Sequence, residues 1–302
     1  MKIGIVGAGW AGLAAAVKAS EAGHEVVLWD MSAHPGGRAR SGVTPPPDCP
    51  VDLDCGQHIL TGAYSATLTL MQAVGVDLDR ALHRRPLELL DPQGRGLRLP
   101  GGGGPAGWAF LRGLWGHSGW SGPDKVRVLI ELVRWRLSGF ECSDQLTVLQ
   151  WCRLPPRVMR DWIDPLCIAA LNTPVERASA RVLMRVLGDA LFAGPGGADL
   201  LLPKVPLHDL LPGPAMARLS QRGADIRLQQ RVMSLEPLGQ GRWSIDRTDV
   251  DSLIVATPSP EAARLIEPWD GDWAQVAGSL QHEPIVTTWL HVPGCALAAP
   301  MV

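Results

Sequence analysis

The first 30 residues contain the pattern that most constrains the fold of this chain. Residues 2–6 (KIGIV) predict a buried parallel strand, and the next six residues (GAGWAG) match the motif G-x-G-x-x-G. An alanine-rich helix that ends near Gly23 follows, and then a second strand that ends at Asp30. A strand, a helix and a strand in this order predict a βαβ unit, and therefore an α/β protein with a parallel sheet.

Each part of this unit suits a dinucleotide. Gly7 permits the tight turn from strand to helix, Gly9 lets a pyrophosphate approach the backbone, and Gly12 lets the helix pack closely on the strand. Asp30 follows at the distance expected of a carboxylate that accepts hydrogen bonds from ribose hydroxyls. The glycine motif alone is a weak signal, but the complete order favours a dinucleotide site over an ordinary turn.

A second glycine-rich segment, GGRAR, begins six residues after Asp30. Gly36 and Gly37 permit another close approach to the backbone, and the guanidinium of Arg38 suits phosphate oxygens. The alternative is a surface turn with solvated arginines. The position of the segment directly after a ribose-binding acid favours a phosphate contact.

Composition excludes several classes of protein. The 302 residues are 46% hydrophobic and 19% charged, which excludes a disordered chain, and a net charge of -2 does not favour a nucleic-acid partner. The six cysteines are scattered without a C-x-x-C pair, so we expect neither a metal site nor disulfides. The sequence therefore predicts a cytoplasmic protein, and it leaves open an association with the inner face of the cell membrane.

The two glycine motifs and Asp30 together resemble the amine oxidase and phytoene desaturase group of flavoproteins. Three further segments, at residues 55–64, 165–182 and 199–207, are similar to the hydroxysqualene dehydroxylases within that group. The resemblance implies FAD as the cofactor and a long-chain isoprenoid lipid as the substrate. It also implies reductive removal of the hydroxyl of hydroxysqualene to give squalene.

The resemblance carries over to individual positions. It implies a flavin-phosphate contact for the GGR segment, a position near the flavin ring for the GQH segment and an adenine contact for an extended segment at Arg231 and Val232. It also implies a strand and turn beside the cofactor in DSLIVATP. The implied cofactor residues outside the first βαβ unit are Gly36, Gly37, Arg38, Gly56, Gln57, His58, Val232, Ala256 and Thr257.

The proton donor for dehydroxylation is not identified by any motif. His58 is the first candidate and Asp199 the second, although a lone histidine is more often a packed or surface residue. A carotenoid-type desaturase, with hydride transfer in the opposite direction, is the alternative enzyme. A flavin-binding remnant without activity is a third hypothesis, because the chain ends before the C-terminal segment with which this group closes the flavin site.

The sequence also predicts two interleaved domains. We expect a Rossmann-like FAD-binding domain at 1–83 and 200–265, and a mainly helical substrate and membrane-facing domain at 84–199 and 266–302, incomplete at its C-terminus relative to the family. The polar residues Asp164 and Asn172 of the helical region each lie beside a turn, so a cap is at least as good an explanation as a substrate contact.

Tryptophans and a helical apolar stripe mark residues 106–140. The residues at helical spacing on one face are Val126, Leu129, Ile130, Val133 and Leu137, and the nearby tryptophans are Trp108, Trp115, Trp120 and Trp135. Two interpretations remain open: a helix pair whose stripe faces the core, or an amphipathic element that rests on a membrane.

Overall fold

The computed structural model describes residues 1–43, 53–90, 96–99, 106–192, 194–290, 292 and 294–295. The chain divides into two compact units, of which unit 1 contains residues 1–58, 70–81 and 203–302 and unit 2 contains residues 59–69 and 82–202. Residues 266–302, which the sequence assigns to the helical domain, lie in unit 1. The reason is that the helix in this segment, at Gly271–Gly278, packs on the helix just before it, at Ser259–Ile266.

The strands are β1 (Lys2–Val6), β2 (Glu25–Trp29), β3 (Ser41–Val43), β4 (Leu53–Asp54), β5 (Leu60–Thr61), β6 (Leu82–Arg85), β7 (Glu88–Leu90), β8 (Gly96–Arg98), β9 (Leu200–Pro203), β10 (Asp225–Arg227), β11 (Leu235–Gly239), β12 (Arg242–Ile245), β13 (Thr248–Val250) and β14 (Ser252–Val255). The helices are α1 (Trp10–Glu21), α2 (Ser65–Ala73), α3 (Leu78–Ala81), α4 (Ala106–Gly116), α5 (Gly122–Leu137), α6 (Val148–Trp151), α7 (Pro156–Val158), α8 (Asp164–Leu171), α9 (Ala180–Phe192), α10 (Leu207–Leu210), α11 (Pro212–Gln221), α12 (Ser259–Ile266) and α13 (Gly271–Gly278), and a π-helix runs over Met159–Ile163.

Unit 1 is built on a parallel sheet with strand order β10-β2-β1-β14. The middle strands are buried at residues 4–6 and 26–29, as their apolar runs predict. Helix α1 packs on one face through Leu13 and Val17, and α11 packs against α1. On the other face Gly4 leaves room for Ile245 of β12. The predicted α/β class with an N-terminal βαβ unit is confirmed.

Unit 2 is mainly helical, with small sheets β5-β9-β6 and β7-β8 beside the helices. Its core contains four buried aromatic rings, those of Phe110, Trp120, Trp135 and Trp162. The Trp162 ring lies 5.1 Å from the Phe110 ring and 6.2 Å from the Trp135 ring, centroid to centroid. Trp162 and Trp135 are fully buried, so each adds a large apolar area to the core, beside aliphatic residues such as Leu114 and Leu183.

The side of helix α5 that faces the core is not the side that carries its apolar stripe. The buried positions are Val128, Glu131 and Trp135, and the stripe of the sequence lies largely in solvent. The buried side also carries an ion pair. Arg134 Nε donates to Glu131 Oε2 at 2.9 Å, its guanidinium covers the ring of Trp151 at 4.1 Å, and the N–H of Arg153 donates to Glu131 Oε1 at 2.8 Å.

The Glu131 contacts stabilise unit 2 in a pH-dependent way. Burial alone would raise the pKa of the Glu131 carboxyl, but the hydrogen bonds from Arg134 and Arg153 outweigh burial and hold that pKa below its ordinary value. Since the folded pKa is the lower one, the contribution is complete above the unfolded pKa of about 4.3 and is lost as the pH falls through the folded value.

We therefore expect Glu131→Gln to lower the free energy of unfolding of unit 2 by about 2 kcal/mol at pH 7, because the buried guanidinium loses its charged partner. Urea unfolding followed by tryptophan fluorescence measures the change. The matched control is Glu141→Gln, at an exposed position of the same unit. An equal effect of the two substitutions at pH 7 would contradict this account.

Candidate functional site

The turn between β1 and α1 requires glycine at two positions. Gly7 has a φ of 107°, and a Cβ there would lie 2.7 Å from the carbonyl oxygen of Ala256. A Cβ at Gly12 would overlap the carbonyl oxygen of Gly7. Both glycines thus bring α1 against the ends of β1 and β14, as the motif predicts.

Gly9 has no such steric reason to be glycine. Its φ is −69°, a value that any residue adopts, and a Cβ there would meet only the Gly37 Cα, at 3.8 Å. Gly9 is the N-cap of α1 and makes no side-chain cap, so the free N–H groups of the first helical turn have no side chain over them. The position leaves space for a ligand at a helix N-terminus, where an anion is favoured.

The second glycine segment lies directly against the first. The N–H of Gly36 donates to the carbonyl of Ala8 at 2.8 Å, and Gly9 and Gly36 form a parallel bridge. Gly36 and Gly37 both have positive φ, and a Cβ at Gly37 would lie 3.1 Å from the Gly9 Cα. Two segments that are 27 positions apart therefore form one glycine-lined surface at the start of α1.

Asp30 closes one end of this surface at the tip of β2. Its Oδ2 accepts from the N–H of Ala8 at 2.6 Å and its Oδ1 accepts from the N–H of Ser32 at 2.7 Å. A carboxylate has about four lone-pair sites, so it can still accept from ribose hydroxyls. Arg38 is exposed and has no hydrogen-bond partner within the described part of the chain, whereas Arg40 folds back onto the Gly37 carbonyl.

Buried hydroxyls without partners lie at the end of β14. Ala256 extends the sheet by donating to the Val6 carbonyl at 2.8 Å, and its own carbonyl faces Gly7. The next residues include Thr257 and Ser259, whose hydroxyl oxygens are buried with no hydrogen-bond partner among the described residues. Since buried polar groups are normally satisfied, these hydroxyls fit a site that is completed by a polar ligand.

Val232 lies between β10 and β11, outside both strands. Arg264 of α12 donates to the Val232 carbonyl at 2.6 Å. Glu261 holds this arginine and also pairs with Arg231 at 2.9 Å. The hydrogen bonds from these two guanidinium groups lower the pKa of Glu261 to about 2, and the bond from Arg264 has the larger effect.

The GQH segment and Asp199 lie in different units. In unit 1, Gly56 is buried, Gln57 is exposed, and His58 is half-buried with its Nδ1 3.1 Å from the Gly56 carbonyl. In unit 2, Asp199 accepts from Arg84 Nη1 at 3.0 Å, and this ion pair ties the start of β9 to β6. Asp199 therefore has a structural partner, and the catalytic assignments of both residues stay predictions.

Other polar residues have structural roles. Asn172 is the left-handed C-cap of α8, with φ 50° and ψ 28°, which accounts for it without a substrate contact. Among the described residues, no group of three or more His, Cys, Asp or Glu side chains is placed to hold a metal ion. In the same part of the chain, no helix is long and apolar enough to cross a membrane.

Comparison with known proteins agrees with this geometry. Residues 5–74 match the NAD(P)-binding Rossmann-like domain family. The chain is 26% identical over 276 residues to hydroxysqualene dehydroxylase of Zymomonas mobilis, which corresponds to 84% of this chain and 61% of the relative. The predicted resemblance to hydroxysqualene dehydroxylases is confirmed. The chain thus spans about three fifths of the length of the hydroxysqualene dehydroxylase that it matches.

Two further relatives define the breadth of the similarity. Zeta-carotene desaturase of Synechocystis is 34% identical over 95 residues, or 32% of this chain and 19% of that protein. The crystal structure of an oxidoreductase from Methanosarcina mazei matches with a TM-score of 0.64 and 19% identity, and covers 93% of this chain and 66% of its own. At that identity the structural match supports the fold alone.

Gly9 provides a test that separates folding from ligand binding. We expect Gly9→Ala to keep the thermal stability of the parent, since φ and space at this position both permit alanine. It should weaken dinucleotide binding by at least about tenfold, since a methyl group would enter the glycine-lined surface at the start of α1. Gly12→Ala should instead destabilise the fold. Calorimetric titration with FAD and with NAD, beside a thermal melt, measures both effects. Unchanged affinity in Gly9→Ala would remove Gly9 from the site.

Glu261 generates a second prediction. Glu261→Gln should loosen the Arg231–Arg264 network, since a neutral side chain holds two guanidinium groups less strongly. The hydrogen-bonded amides beside Val232, those of Gln230 and Met233, should then exchange faster. Hydrogen exchange over residues 229–234 measures the change, with Glu267→Gln, at an exposed position just after α12, as the control. The parent protein should lose the same protection as the pH falls below about 4.5 toward 2, because its folded pKa is the lower one. Equal protection in the two variants would contradict this role.

Proposed function

We propose that this chain binds FAD and catalyses the reductive removal of the hydroxyl of hydroxysqualene to give squalene. The observation that carries the proposal is the bridge between Gly9 and Gly36, which joins a Rossmann glycine loop to a second, arginine-containing glycine segment. A flavin dinucleotide offers phosphates and a ribose to such a paired surface. The similarity to hydroxysqualene dehydroxylases over most of the chain supports the choice of reaction.

The residues of unit 1 would hold the dinucleotide in a definite order. Asp30 would accept the adenosine ribose hydroxyls, and the first turn of α1 beside Gly9 would bind the pyrophosphate. The guanidinium of Arg38 would add charge to the phosphate contacts. Val232 would contact the adenine. Its N–H donates to no described residue and could bind the ligand, whereas its carbonyl accepts from Arg264.

The reaction needs a hydride, which reduced FAD supplies when it is bound. The hydroxyl of hydroxysqualene accepts a proton, the carbon–oxygen bond breaks with release of water, and the hydride completes the new carbon–hydrogen bond. The flanking alkenes of the substrate stabilise positive charge at that carbon. The chain must therefore exclude bulk water, hold the isoprenoid and deliver one proton.

His58 is the better supported proton donor of the two candidates. Its Nδ1 contact with the Gly56 carbonyl fixes the ring and assigns the Nδ1 proton to that bond, so Nε2 is the atom that can carry the transferred proton. Asp199 accepts from Arg84, and a carboxylate in an ion pair is an acceptor. We therefore assign the donor role to His58.

A carotenoid-type desaturase is the second candidate, favoured by the 34% identity to zeta-carotene desaturase over 95 residues. That reaction also uses a flavin and an isoprenoid but moves the hydride from substrate to cofactor. For either reaction we propose a cytoplasmic protein that meets its lipid substrate at a membrane surface.

Anaerobic turnover tests the proposal. The 302-residue chain is loaded with FAD, reduced with dithionite and incubated with hydroxysqualene, and the products are analysed by gas chromatography and mass spectrometry. We expect squalene, and at least about a hundredfold less from His58→Gln, which should keep its flavin spectrum. His83→Gln, at an exposed position in unit 2, is the control.

Each negative result has a distinct meaning. Failure to retain FAD would overturn the cofactor assignment. Flavin-loaded protein that forms no squalene would overturn the reaction, and desaturation of a carotene by the oxidised protein would establish the second candidate. Full activity of His58→Gln would remove His58 as the donor.

A further inference from the structure

Helix α5 presents an apolar arc to solvent. Val126, Ile130, Val133 and Leu137 are between 50% and 84% exposed, although aliphatic side chains at helical spacing normally face a core. At about 100° per residue these four side chains fall within an arc of about 60°. The buried side of the helix is already packed by Val128 and Trp135, so rotation toward the core of unit 2 is not open to the stripe.

Helix α4 carries a second exposed stripe. Trp108, Leu111 and Trp115 follow each other at spacings of three and four residues and are 65%, 37% and 62% exposed. The four tryptophans that lie close together in the sequence therefore separate into two pairs. Trp108 and Trp115 are exposed, whereas Trp120 and Trp135 are buried. Lys125 Nζ donates to the Trp115 carbonyl at 2.8 Å, so the end of α4 lies beside the start of α5.

Cations flank the apolar arc of α5. On the same helical projection, Arg127 lies about 90° from the centre of the arc on one side, and Arg136 lies about 90° from it on the other side. Both are exposed, as is Arg112 on α4. The acidic residues of α5 are engaged: Asp124 forms the capping box with Ser121, and Glu131 is buried with Arg134. The two helices together carry five cations against these two carboxylates, so their net charge is positive.

The net charge of unit 2 as a whole is also positive. Unit 2 contains 15 Lys and Arg residues against 11 Asp and Glu, a net charge of +4, whereas unit 1 contains 13 against 19, a net charge of −6. The mild total of -2 thus hides two units of opposite charge. Positive charge is concentrated in the unit that carries the exposed apolar stripes.

We propose that the exposed apolar stripes of α4 and α5 dock on the surface of a bilayer that contains anionic phospholipids. Aliphatic side chains would enter the boundary of the acyl chains, the tryptophans would sit at the interface, and the flanking cations would contact lipid phosphates. A symmetric dimer through these stripes is disfavoured, because the cations of one copy would face the cations of the other. This inference deepens the proposed function by naming where the chain meets the membrane that stores an isoprenoid substrate.

Vesicle co-sedimentation tests the docking without substrate or flavin. The full chain should bind vesicles of phosphatidylcholine with 30% phosphatidylglycerol more strongly than vesicles of phosphatidylcholine alone, and 0.5 M salt should remove most of the difference. Val126→Gln/Ile130→Gln/Val133→Gln and Trp108→Gln/Trp115→Gln should each lower binding by about tenfold or more. The control is Trp273→Gln/Val276→Gln, which removes two apolar residues that are 47% and 67% exposed from α13 of unit 1.

Charge variants test the second element of the proposal. Arg112→Gln/Arg127→Gln should weaken binding to the anionic vesicles by about 25-fold, at about fivefold per cation, and leave binding to neutral vesicles unchanged. Arg160→Gln/Arg185→Gln removes the same charge from exposed positions of unit 2 outside α4 and α5 and should have a smaller effect. A thermal melt of every variant confirms folding.

Three results would overturn the inference. These are equal binding to neutral and anionic vesicles, equal losses in the stripe variants and the α13 control, and a concentration-dependent dimer that the stripe variants abolish. Since the assay reads lipid binding alone, its failure leaves the FAD and squalene measurements intact, and their failure leaves the docking intact.

Discussion

The structure of unit 1 depends on the contact between α1 and the ends of two parallel strands. Gly12 lies so close to the Gly7 carbonyl, and Gly7 so close to Ala256, that any side chain at either position would separate helix from sheet. This contact fixes the first turn of α1 at the edge where β1 and β14 end. The positive end of the helix dipole then points at the place where a ligand phosphate can approach.

Long-range contacts turn that edge into a site. The Gly36 bridge adds a second glycine segment, Asp30 terminates β2 with its carboxylate on Ala8, and Arg264 reaches the Val232 carbonyl from α12. The Gly36 segment and Asp30 meet in this way at the N-terminus of α1. Gly9 differs from its neighbours because no steric constraint in the fold requires it, and a ligand is the simplest reason for glycine there.

Local patterns predicted the parts that depend on local geometry. The βαβ unit, its glycines and Asp30 follow from spacing alone, because a parallel strand, a tight turn and a helix N-terminus each have a residue signature. The apolar stripe of α5 was also visible, but its direction was not. A stripe shows which residues share a face, and the buried face of α5 is another one, with Val128, Glu131 and Trp135. Glu261 and Arg264 were missed because their partners lie about 30 residues away, and no motif marks such pairs.

A structure of the chain with FAD bound tests the central claim most directly, which is that the paired glycine segments form a flavin dinucleotide site. The account predicts the pyrophosphate at the backbone N–H groups of the first turn of α1, beside Gly9 and Gly36, and the adenosine ribose hydroxyls on the Asp30 carboxylate. FAD bound elsewhere, or with its ribose turned away from Asp30, would contradict it.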